Sequence, residues 1–184
     1  DRNISARDAI KASALVADIN NDNQLEIIFG SNDSFIYALS SRGRLLWKFK
    51  ANSGIESAPA LIAGQQIVFG SNDGTIYSVN SEGKLMWEFK TRDKITAQPV
   101  TGVLNNGAPC ILVGSLDHSI YALDLKGRLA WEYPTGGKIF SKAVILDEGD
   151  DKEPKILFGS CDDMVHVVSG KGNKIWDYET DFWV

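Results

Sequence analysis

The stretch GSNDGTIYSVNSEGKLMWEF, residues 70–89, occurs four times in this 184-residue chain with conservative changes. The other copies begin at Gly30, Gly114 and Gly159, and none of them needs a gap to align. Four positions carry the same kind of residue in every copy: an Asp, a ring, a Gly and a Trp. They are Asp33, Asp73, Asp117 and Asp162; Tyr37, Tyr77, Tyr121 and His166; Gly43, Gly83, Gly127 and Gly172; and Trp47, Trp87, Trp131 and Trp176. Such self-similarity at a regular period indicates a repeat architecture.

Each copy predicts two β-strands. An alternating, β-branched and aromatic run such as TIYSV stops at a turn containing Gly83 and resumes as KLMWEF, which is typical of a hairpin. A third strand is predicted from the apolar run that ends in each Gly-Ser pair: LEIIFGS, QQIVFGS, PCILVGS and PKILFGS. A fourth is predicted upstream, where each repeat has Ile followed by small residues: IKASAL, IESAPA, ITAQPV and IFSKAV.

The spacing between repeats predicts the fold class. Three of the Trp residues lie eight positions before the Ile of the next repeat: Trp47 to Ile55, Trp87 to Ile95 and Trp131 to Ile139. A four-stranded antiparallel unit of about 40–45 residues with a constant connector is typical of propeller blades. We therefore predict an all-β fold, a single β-propeller domain over residues 1–184. Its blades are expected at about 10–54, 55–94, 95–138 and 139–184, as a closed four-blade ring or as part of a larger propeller.

Charge and hydropathy exclude two classes of partner. The 19 Lys and Arg residues are scattered singly among 24 Asp and Glu residues, and the net charge is −5, so no basic stripe is available for nucleic acid. No apolar run is long enough to cross a bilayer, so no transmembrane segment is expected.

One loop has the residue types of a calcium site. Oxygen-bearing side chains alternate along the connection between the first two predicted strands of the first repeat, and a backbone carbonyl is available at the seventh loop position. These candidate ligands are Asp18, Asn20, Asp22, Gln24 and Glu26. The spacing resembles the short calcium loops of integrin-type propeller repeats and predicts one structural calcium ion. The alternative is a polar turn whose side chains only satisfy backbone N–H groups.

The third repeat, with YALDLKGRLAW at residues 121–131, resembles the tryptophan-docking repeat of pyrroloquinoline quinone (PQQ) type propellers. That family includes quinoprotein alcohol dehydrogenases and non-enzymatic relatives, among them the propeller lipoprotein of bacterial outer-membrane protein assembly. The resemblance implies that Trp47, Trp87, Trp131 and Trp176 each pack against a neighbouring blade. It also implies that Gly43, Gly83, Gly127 and Gly172 turn the hairpins, and that the protein works outside the cytoplasm.

The sequence favours binding over catalysis. In the dehydrogenases that this family resembles, a vicinal Cys pair and a carboxylate-rich calcium site face the quinone, whereas Cys110 and Cys161 are far apart in sequence. His118 falls in a predicted turn and His166 in the Tyr register, so no catalytic residue and no PQQ site are predicted. We expect a non-catalytic module that binds a protein, peptide or glycan. The alternatives are a fragment of a quinone-dependent dehydrogenase and a sensor domain of a larger signalling protein. Self-association as a homodimer that completes a larger ring is a further expectation.

Overall fold

The computed structural model describes residues 6–62, 65–104, 106–146 and 153–181. Within these ranges the chain forms sixteen β-strands and no helix. The strands make four separate sheets, each with four antiparallel strands in chain order. This arrangement confirms the predicted all-β architecture of four four-stranded repeats.

The strand bounds show how regularly the sequence repeat is used. Sheet 1 contains β1 (Leu15–Ala17), β2 (Glu26–Gly30), β3 (Phe35–Ser40) and β4 (Leu45–Lys50). Sheet 2 contains β5 (Ala60–Ile62), β6 (Gln66–Gly70), β7 (Thr75–Val79) and β8 (Leu85–Lys90). Sheet 3 contains β9 (Val100–Val103), β10 (Pro109–Gly114), β11 (Ser119–Asp124) and β12 (Leu129–Pro134). Sheet 4 contains β13 (Val144–Leu146), β14 (Lys155–Ser160), β15 (Met164–Ser169) and β16 (Lys174–Glu179).

The chain divides into two compact units. Asp1–Thr96 contains sheets 1 and 2, and Ala97–Val184 contains sheets 3 and 4. Within the first unit, Ile28 and Ile36 of sheet 1 share an apolar core with Phe69 of sheet 2. Within the second, Leu112 of sheet 3 shares a core with Phe158 of sheet 4. Each unit is therefore held together by packing between two consecutive repeats. The predicted single domain and its blade boundaries stay predictions.

The Ile that opens each repeat lies outside the sheet. The first strands begin only at the last residue of the predicted runs, for example Ala60 in the run that starts at Ile55. Ile55 instead donates its backbone N–H to Ser31 O at 3.0 Å, and its side chain covers Gly30. A Cβ on Gly30 would lie 2.2 Å from Ile55 Cγ2, a distance that no real packing allows. The run therefore joins two repeats rather than extending the ladder.

Every sheet has a β-bulge at the same place in the hairpin between its last two strands. The register shifts between Ala38 and Leu39 in sheet 1 and between Ala122 and Leu123 in sheet 3. The equivalent shifts in sheets 2 and 4 lie between Ser78 and Val79 and between Val167 and Val168. A bulge leaves one residue of the partner strand unpaired and twists the hairpin. The unpaired residue directly precedes the repeat Trp.

Candidate functional site

Trp47 contacts the hairpin of the following repeat within the first unit. Its indole Nε1 donates a hydrogen bond to Ser81 O at 2.7 Å. Its ring lies on Gly83, where a Cβ would come within 2.6 Å of Trp47 Cε3. Gly83 also has φ +76°, a left-handed conformation that side chains disfavour. Two requirements, the turn and the close approach of the ring, therefore select glycine here.

Trp131 makes the same kind of contact in the second unit. Its Nε1 donates to Gly170 O at 3.0 Å, and a Cβ on Gly172 would lie 2.7 Å from Trp131 Cδ2. Trp87 Nε1 donates to Gln66 Oε1 at 3.3 Å within its own sheet. Trp176 differs from the other three because it is 45% exposed.

Two hairpin glycines complete the predicted set. Gly43 and Gly127 have φ +76° and +77°, so both turn their hairpins as Gly83 does. In the part of the chain that the structure describes, no atom lies within 4 Å of a Cβ built on Gly43. The surface of this first hairpin is therefore open, in contrast to the hairpins that Trp47 and Trp131 cover.

The repeat Asp anchors the ring of the same repeat. Tyr37 donates its hydroxyl to Asp33 Oδ2 at 2.7 Å, and Tyr121 does the same to Asp117 at 2.7 Å. Burial and the hydrogen bond to Asp33 raise the pKa of Tyr37 to about 12. Each Asp also accepts an N–H from its own turn, as Asp33 does from Phe35. The pair thus closes the turn between the second and third strands.

Sheet 2 departs from this pairing. Asp73 Oδ2 accepts the Thr75 hydroxyl at 2.9 Å, while the Tyr77 hydroxyl accepts the N–H of Asn52 at 3.3 Å. Tyr77 therefore fixes the connector from the preceding repeat. In sheet 4 the Asp itself has this role, because Asp162 accepts the N–H of Gly136 at 2.8 Å.

His166 packs as the tyrosines do. It is 5% exposed and stacks on Phe158 with 5.4 Å between ring centroids, while Tyr133 meets it edge-on at 5.8 Å. Phe69 and Tyr77 form the matching stack in sheet 2, with 5.5 Å between centroids. His166 thus fills the ring position of its repeat.

The imidazole of His166 lies between two carboxylates. Nε2 is 3.1 Å from Asp162 Oδ2, and Nδ1 is 3.0 Å from Asp177 Oδ1. Burial of Asp162 raises its pKa, but hydrogen bonds from Gly136, Ser160 and His166 outweigh burial and hold the pKa below its ordinary value. The pKa of Asp177 is lowered in the same way, with burial opposed by Lys174 and His166. Both carboxylates are thereby kept ionised in the folded state.

The predicted calcium loop is a network of side chain to backbone hydrogen bonds. Asp18 Oδ2 accepts the N–H of Asn23 at 2.8 Å, and its Oδ1 accepts the N–H of Asp22 at 3.2 Å. Asp22 Oδ1 accepts the N–H of Gln24 at 2.8 Å, and Asn20 Nδ2 donates to Asp22 Oδ2. Burial of Asp18 raises its pKa, but the loop N–H groups outweigh burial and lower it.

The fifth candidate ligand has a separate role. Glu26 is 3% exposed, and its Oε2 accepts the N–H of Ile19 at 3.1 Å. The structure therefore brings Asp18, Asn20 and Asp22 together, with Gln24 hydrogen-bonded to Asp22 and Glu26 at the base of the loop. Among the residues that the structure describes, no group of three or more His, Cys, Asp or Glu side chains could hold a metal ion. Asn20 and Gln24, which would contribute amide oxygens, are not among these residue types, so the calcium site stays a prediction.

Neither cysteine forms a disulfide within the described part of the chain. Cys110 and Cys161 are both free thiols, and Cys110 is buried. Burial raises the pKa of the Cys110 thiol to about 11, so the reactive thiolate is scarce near neutral pH.

No helix that could span a membrane occurs in the described residues.

Two clefts were missed by sequence reasoning. One, of about 320 Å³, lies beside Trp131 and is lined by Leu104, Asn106, Ala130, Trp131, Gly170 and Lys171. The other, of about 380 Å³, lies on the first hairpin and is lined by Gln24, Ser40, Ser41, Arg42 and Arg44. Both are lined by residues that vary between repeats, whereas the predicted site residues are mostly ones that recur. The variable position before the conserved hairpin Gly, Arg42 or Lys171, was the available signal.

The family described as the lambda-carrageenase β-propeller domain matches residues 6–64 and 63–136. Since the matches span more than half of the chain, the chain belongs to this family. The predicted β-propeller fold class is thereby confirmed, while a PQQ-type or integrin-type origin of the repeats stays a prediction.

A solved structure supports the same fold. The chain is similar to BamB from Moraxella catarrhalis, with a TM-score of 0.66 and 18% sequence identity. The match covers 91% of this chain and 50% of the BamB chain, so this chain spans half the length of that protein. At this identity the similarity shows the fold alone. A search of curated proteins gave no significant match.

The contact between Trp47 and the Ser81–Gly83 hairpin predicts an unequal effect of removing two repeat tryptophans. Trp47→Ala should lower the free energy of unfolding by about 3 kcal/mol, because it removes a packed ring and leaves Ser81 O without its donor. Trp176→Ala, the matched control, should lower it by no more than about 1 kcal/mol, because Trp176 is 45% exposed. Urea denaturation followed by circular dichroism measures both. Equal losses would contradict a packing role for Trp47.

The lowered pKa of Asp162 predicts a specific loss of stability in acid. Its contribution is complete above the unfolded Asp pKa of about 3.9 and is lost as pH falls through the lower folded value. Asp162→Asn should therefore destabilise the protein at pH 7 and flatten the fall in urea midpoint between about pH 5 and pH 2. Asp163→Asn is the control, because its side chain lies outside the His166 cluster. An unchanged acid slope in Asp162→Asn would disprove this linkage.

Proposed function

We propose that this chain is a rigid, non-catalytic β-propeller module that binds a glycan in the cleft beside Trp131. The observation that carries the proposal is the composition of this cleft, in which one indole, one amide and one ammonium group converge on about 320 Å³. Such a volume is at the small end of ligand pockets, so it suits a short part of a longer ligand.

The aromatic and polar side chains of the cleft can each make a specific contact with a sugar. The Trp131 ring is anchored by its hydrogen bond to Gly170 O, so it offers a fixed apolar surface for the C–H face of a sugar ring. Asn106 Oδ1 accepts the N–H of Ala108 at 3.0 Å, which orients the amide and directs its Nδ2 group to other acceptors. Lys171 is paired with Glu153 at 3.5 Å, and both are well exposed, so a ligand can displace this weak pair.

Access to the cleft follows from the repeated β-bulge. Ala130 is the residue that the bulge leaves unpaired opposite Ala122 and Leu123, and it is exposed. The equivalent residues of the other sheets are larger, namely Leu46, Met86 and Ile175. The short Ala130 side chain therefore leaves room above the Trp131 ring that a larger side chain would fill.

Family membership favours a glycan over a protein or peptide ligand. The matching family is named for a propeller domain of a carrageenase, an enzyme that acts on a polysaccharide. Since a fold does not fix a function, the residues of the cleft, rather than the family, carry the position of the site. A protein or peptide ligand, a quinone-dependent dehydrogenase fragment and a sensor domain are the competing hypotheses.

Four finer features belong to the same proposal. We infer that the repeats are of the PQQ type, with Trp47 and Trp131 acting as docking residues between repeats, and that the protein works outside the cytoplasm. The exposed Trp176 supports self-association as a homodimer that completes a larger ring. One calcium ion at Asp18, Asn20, Asp22, Gln24 and Glu26 would stabilise the first repeat, since the carboxylates of Asp18 and Asp22 keep lone pairs beyond those that accept loop N–H groups.

Isothermal titration with oligosaccharides prepared from lambda-carrageenan tests the glycan proposal. Ala130→Trp should abolish binding at the cleft, because an indole would fill the space above Trp131. Lys171→Gln should weaken binding by about tenfold through the loss of one charge-assisted hydrogen bond. Lys126→Gln, the same hairpin position in sheet 3, is the matched control. Unchanged affinity in Ala130→Trp would overturn the assignment of the cleft.

Calcium is tested by thermal unfolding after treatment with a chelator. Adding calcium should raise the Tm by several degrees, since a ligand at about 100 times its Kd contributes roughly 2.7 kcal/mol. Asp22→Asn should lose this shift, because it removes a carboxylate oxygen from the centre of the loop. Asp181→Asn, an exposed change at the far end of the chain, should keep the shift. A Tm that is insensitive to calcium in the unmodified protein would refute the site.

A further inference from the structure

The first hairpin carries two arginines that face a cavity. Arg42 and Arg44 flank Gly43 in the turn between β3 and β4, and with Gln24, Ser40 and Ser41 they line about 380 Å³. Both arginines are exposed. Their guanidinium groups and the neighbouring amide and hydroxyl groups make this a polar, positively charged concavity.

In each of the other three hairpins, a cationic side chain of the turn forms an ion pair. In sheet 3, Arg128 Nε lies 2.6 Å from Asp124 Oδ2; in sheet 2, Lys84 Nζ lies 2.6 Å from Glu82 Oε2. In sheet 4, Lys171 Nζ lies 3.5 Å from Glu153 Oε1. Within the described part of the chain, neither Arg42 nor Arg44 forms an ion pair.

The missing partner can be traced to one residue. Ser40 occupies the repeat position of Asp124, four residues before the cation. In sheet 3, Asp124 Oδ1 accepts the Arg128 N–H at 2.9 Å, while its Oδ2 pairs with the guanidinium. In sheet 1, Ser40 Oγ accepts the Arg44 N–H at 3.2 Å and has no second oxygen for the guanidinium. The backbone role is thus retained, and the carboxylate that neutralises the arginine is absent.

The backbone beside the arginines is also accessible. The equivalent glycines Gly83 and Gly172 are covered by the rings of Trp47 and Trp131, whereas the space at Gly43 is open among the described residues. A ligand can therefore approach both the guanidinium groups and the turn itself.

We propose that the Arg42–Arg44 hairpin is a binding site for an anionic substituent of a sugar chain, a sulfate or a carboxylate. Two guanidinium groups offer planar, paired donors that match the oxygens of either anion, and the ligand supplies the acceptors that Asp124 supplies in sheet 3. That the anion is carried by a sugar rests on the proposed function, whereas the preference for an anion rests on the hairpin alone.

The substitution Ser40→Asp tests the site without removing an arginine. It rebuilds the arrangement of sheet 3, so the new carboxylate should pair with Arg44 and exclude the ligand while the hairpin stays folded. The probe is inorganic sulfate, followed by NMR of the arginine Nε–Hε signals. The Arg42 and Arg44 signals should shift with sulfate in the unmodified protein and not in Ser40→Asp. Sulfate that shifts all arginine signals alike would overturn the proposal.

Titration with oligosaccharides separates the sources of the anion. The protein used is the Ala130→Trp variant, and the probes are sulfated oligosaccharides from lambda-carrageenan, carboxylated oligogalacturonates and neutral agar oligosaccharides. Affinity should rise with the charge of the probe, so the neutral probe should bind most weakly. Arg44→Gln should reduce the affinity for the charged probes by about tenfold, and Arg128→Gln, whose arginine is already paired, should leave it unchanged. Charged probes that bind Arg44→Gln as well as the parent would refute the site.

The same experiments distinguish this inference from the glycan cleft. If Ala130→Trp changes no affinity while Ser40→Asp removes the response to sulfate, the cleft proposal fails and the hairpin proposal stands. Light scattering tests the other occupant of the open hairpin, a second copy of the chain. Dimers that disappear in Trp176→Ala, and in which the Arg42 and Arg44 signals do not shift with sulfate, would show that a second copy rather than an anion occupies the hairpin, and would overturn the proposal.

Discussion

The close approach of one repeat's Ile to the preceding repeat's Gly is the contact on which the rest of this structure depends. Ile55 lies on Gly30, Ile95 on Gly70 and Ile139 on Gly114, each at a distance that leaves no room for a Cβ. The same isoleucines donate their N–H groups to Ser31, Ser71 and Ser115. Because this contact is made by the connector itself, it sets where each following sheet begins and explains why the spacing from Trp to Ile does not vary.

The Ile–Gly contact fixes the connector, and the positions that recur in every repeat mainly stabilise the fold. The Asp residues close turns, three of the rings stack on a Phe of the adjacent strand in the same sheet, and the indoles of Trp47 and Trp131 cover hairpin glycines. The ring position accepts a different residue type in sheet 4, where the His166 imidazole contacts Asp162 and Asp177 in place of a tyrosine that contacts one Asp. The residues suited to ligands are those that vary: Ala130 and Lys171 beside an anchored ring, and Arg42 and Arg44 on an uncovered hairpin.

Prediction from sequence succeeded where a feature is local and repeated. The strand alternation, the hairpin glycines and the four-stranded units follow from residue types at constant spacing, and the structure has all of them. The runs of Ile and small residues were predicted as strands, yet Ile55 packs on Gly30 instead, a contact between repeats that no local pattern encodes. The clefts were missed for a related reason, because Leu104 and Lys171 are 67 positions apart and meet only when sheets 3 and 4 pack.

The sequence by itself determined the all-β class, the number of repeats, the strand order within each repeat and the positions of its turns. Those properties depend on backbone preferences and on alternation over a few residues, which one strand or one hairpin already expresses. Only the tertiary structure decided which indoles pack on hairpin glycines, that Ala130 and Trp131 line one cleft, and that Arg42 and Arg44 line another with no ion pair among the described residues. These properties depend on which side chains from separate hairpins come within a few ångströms of one another, and packing, rather than any local pattern, sets those distances.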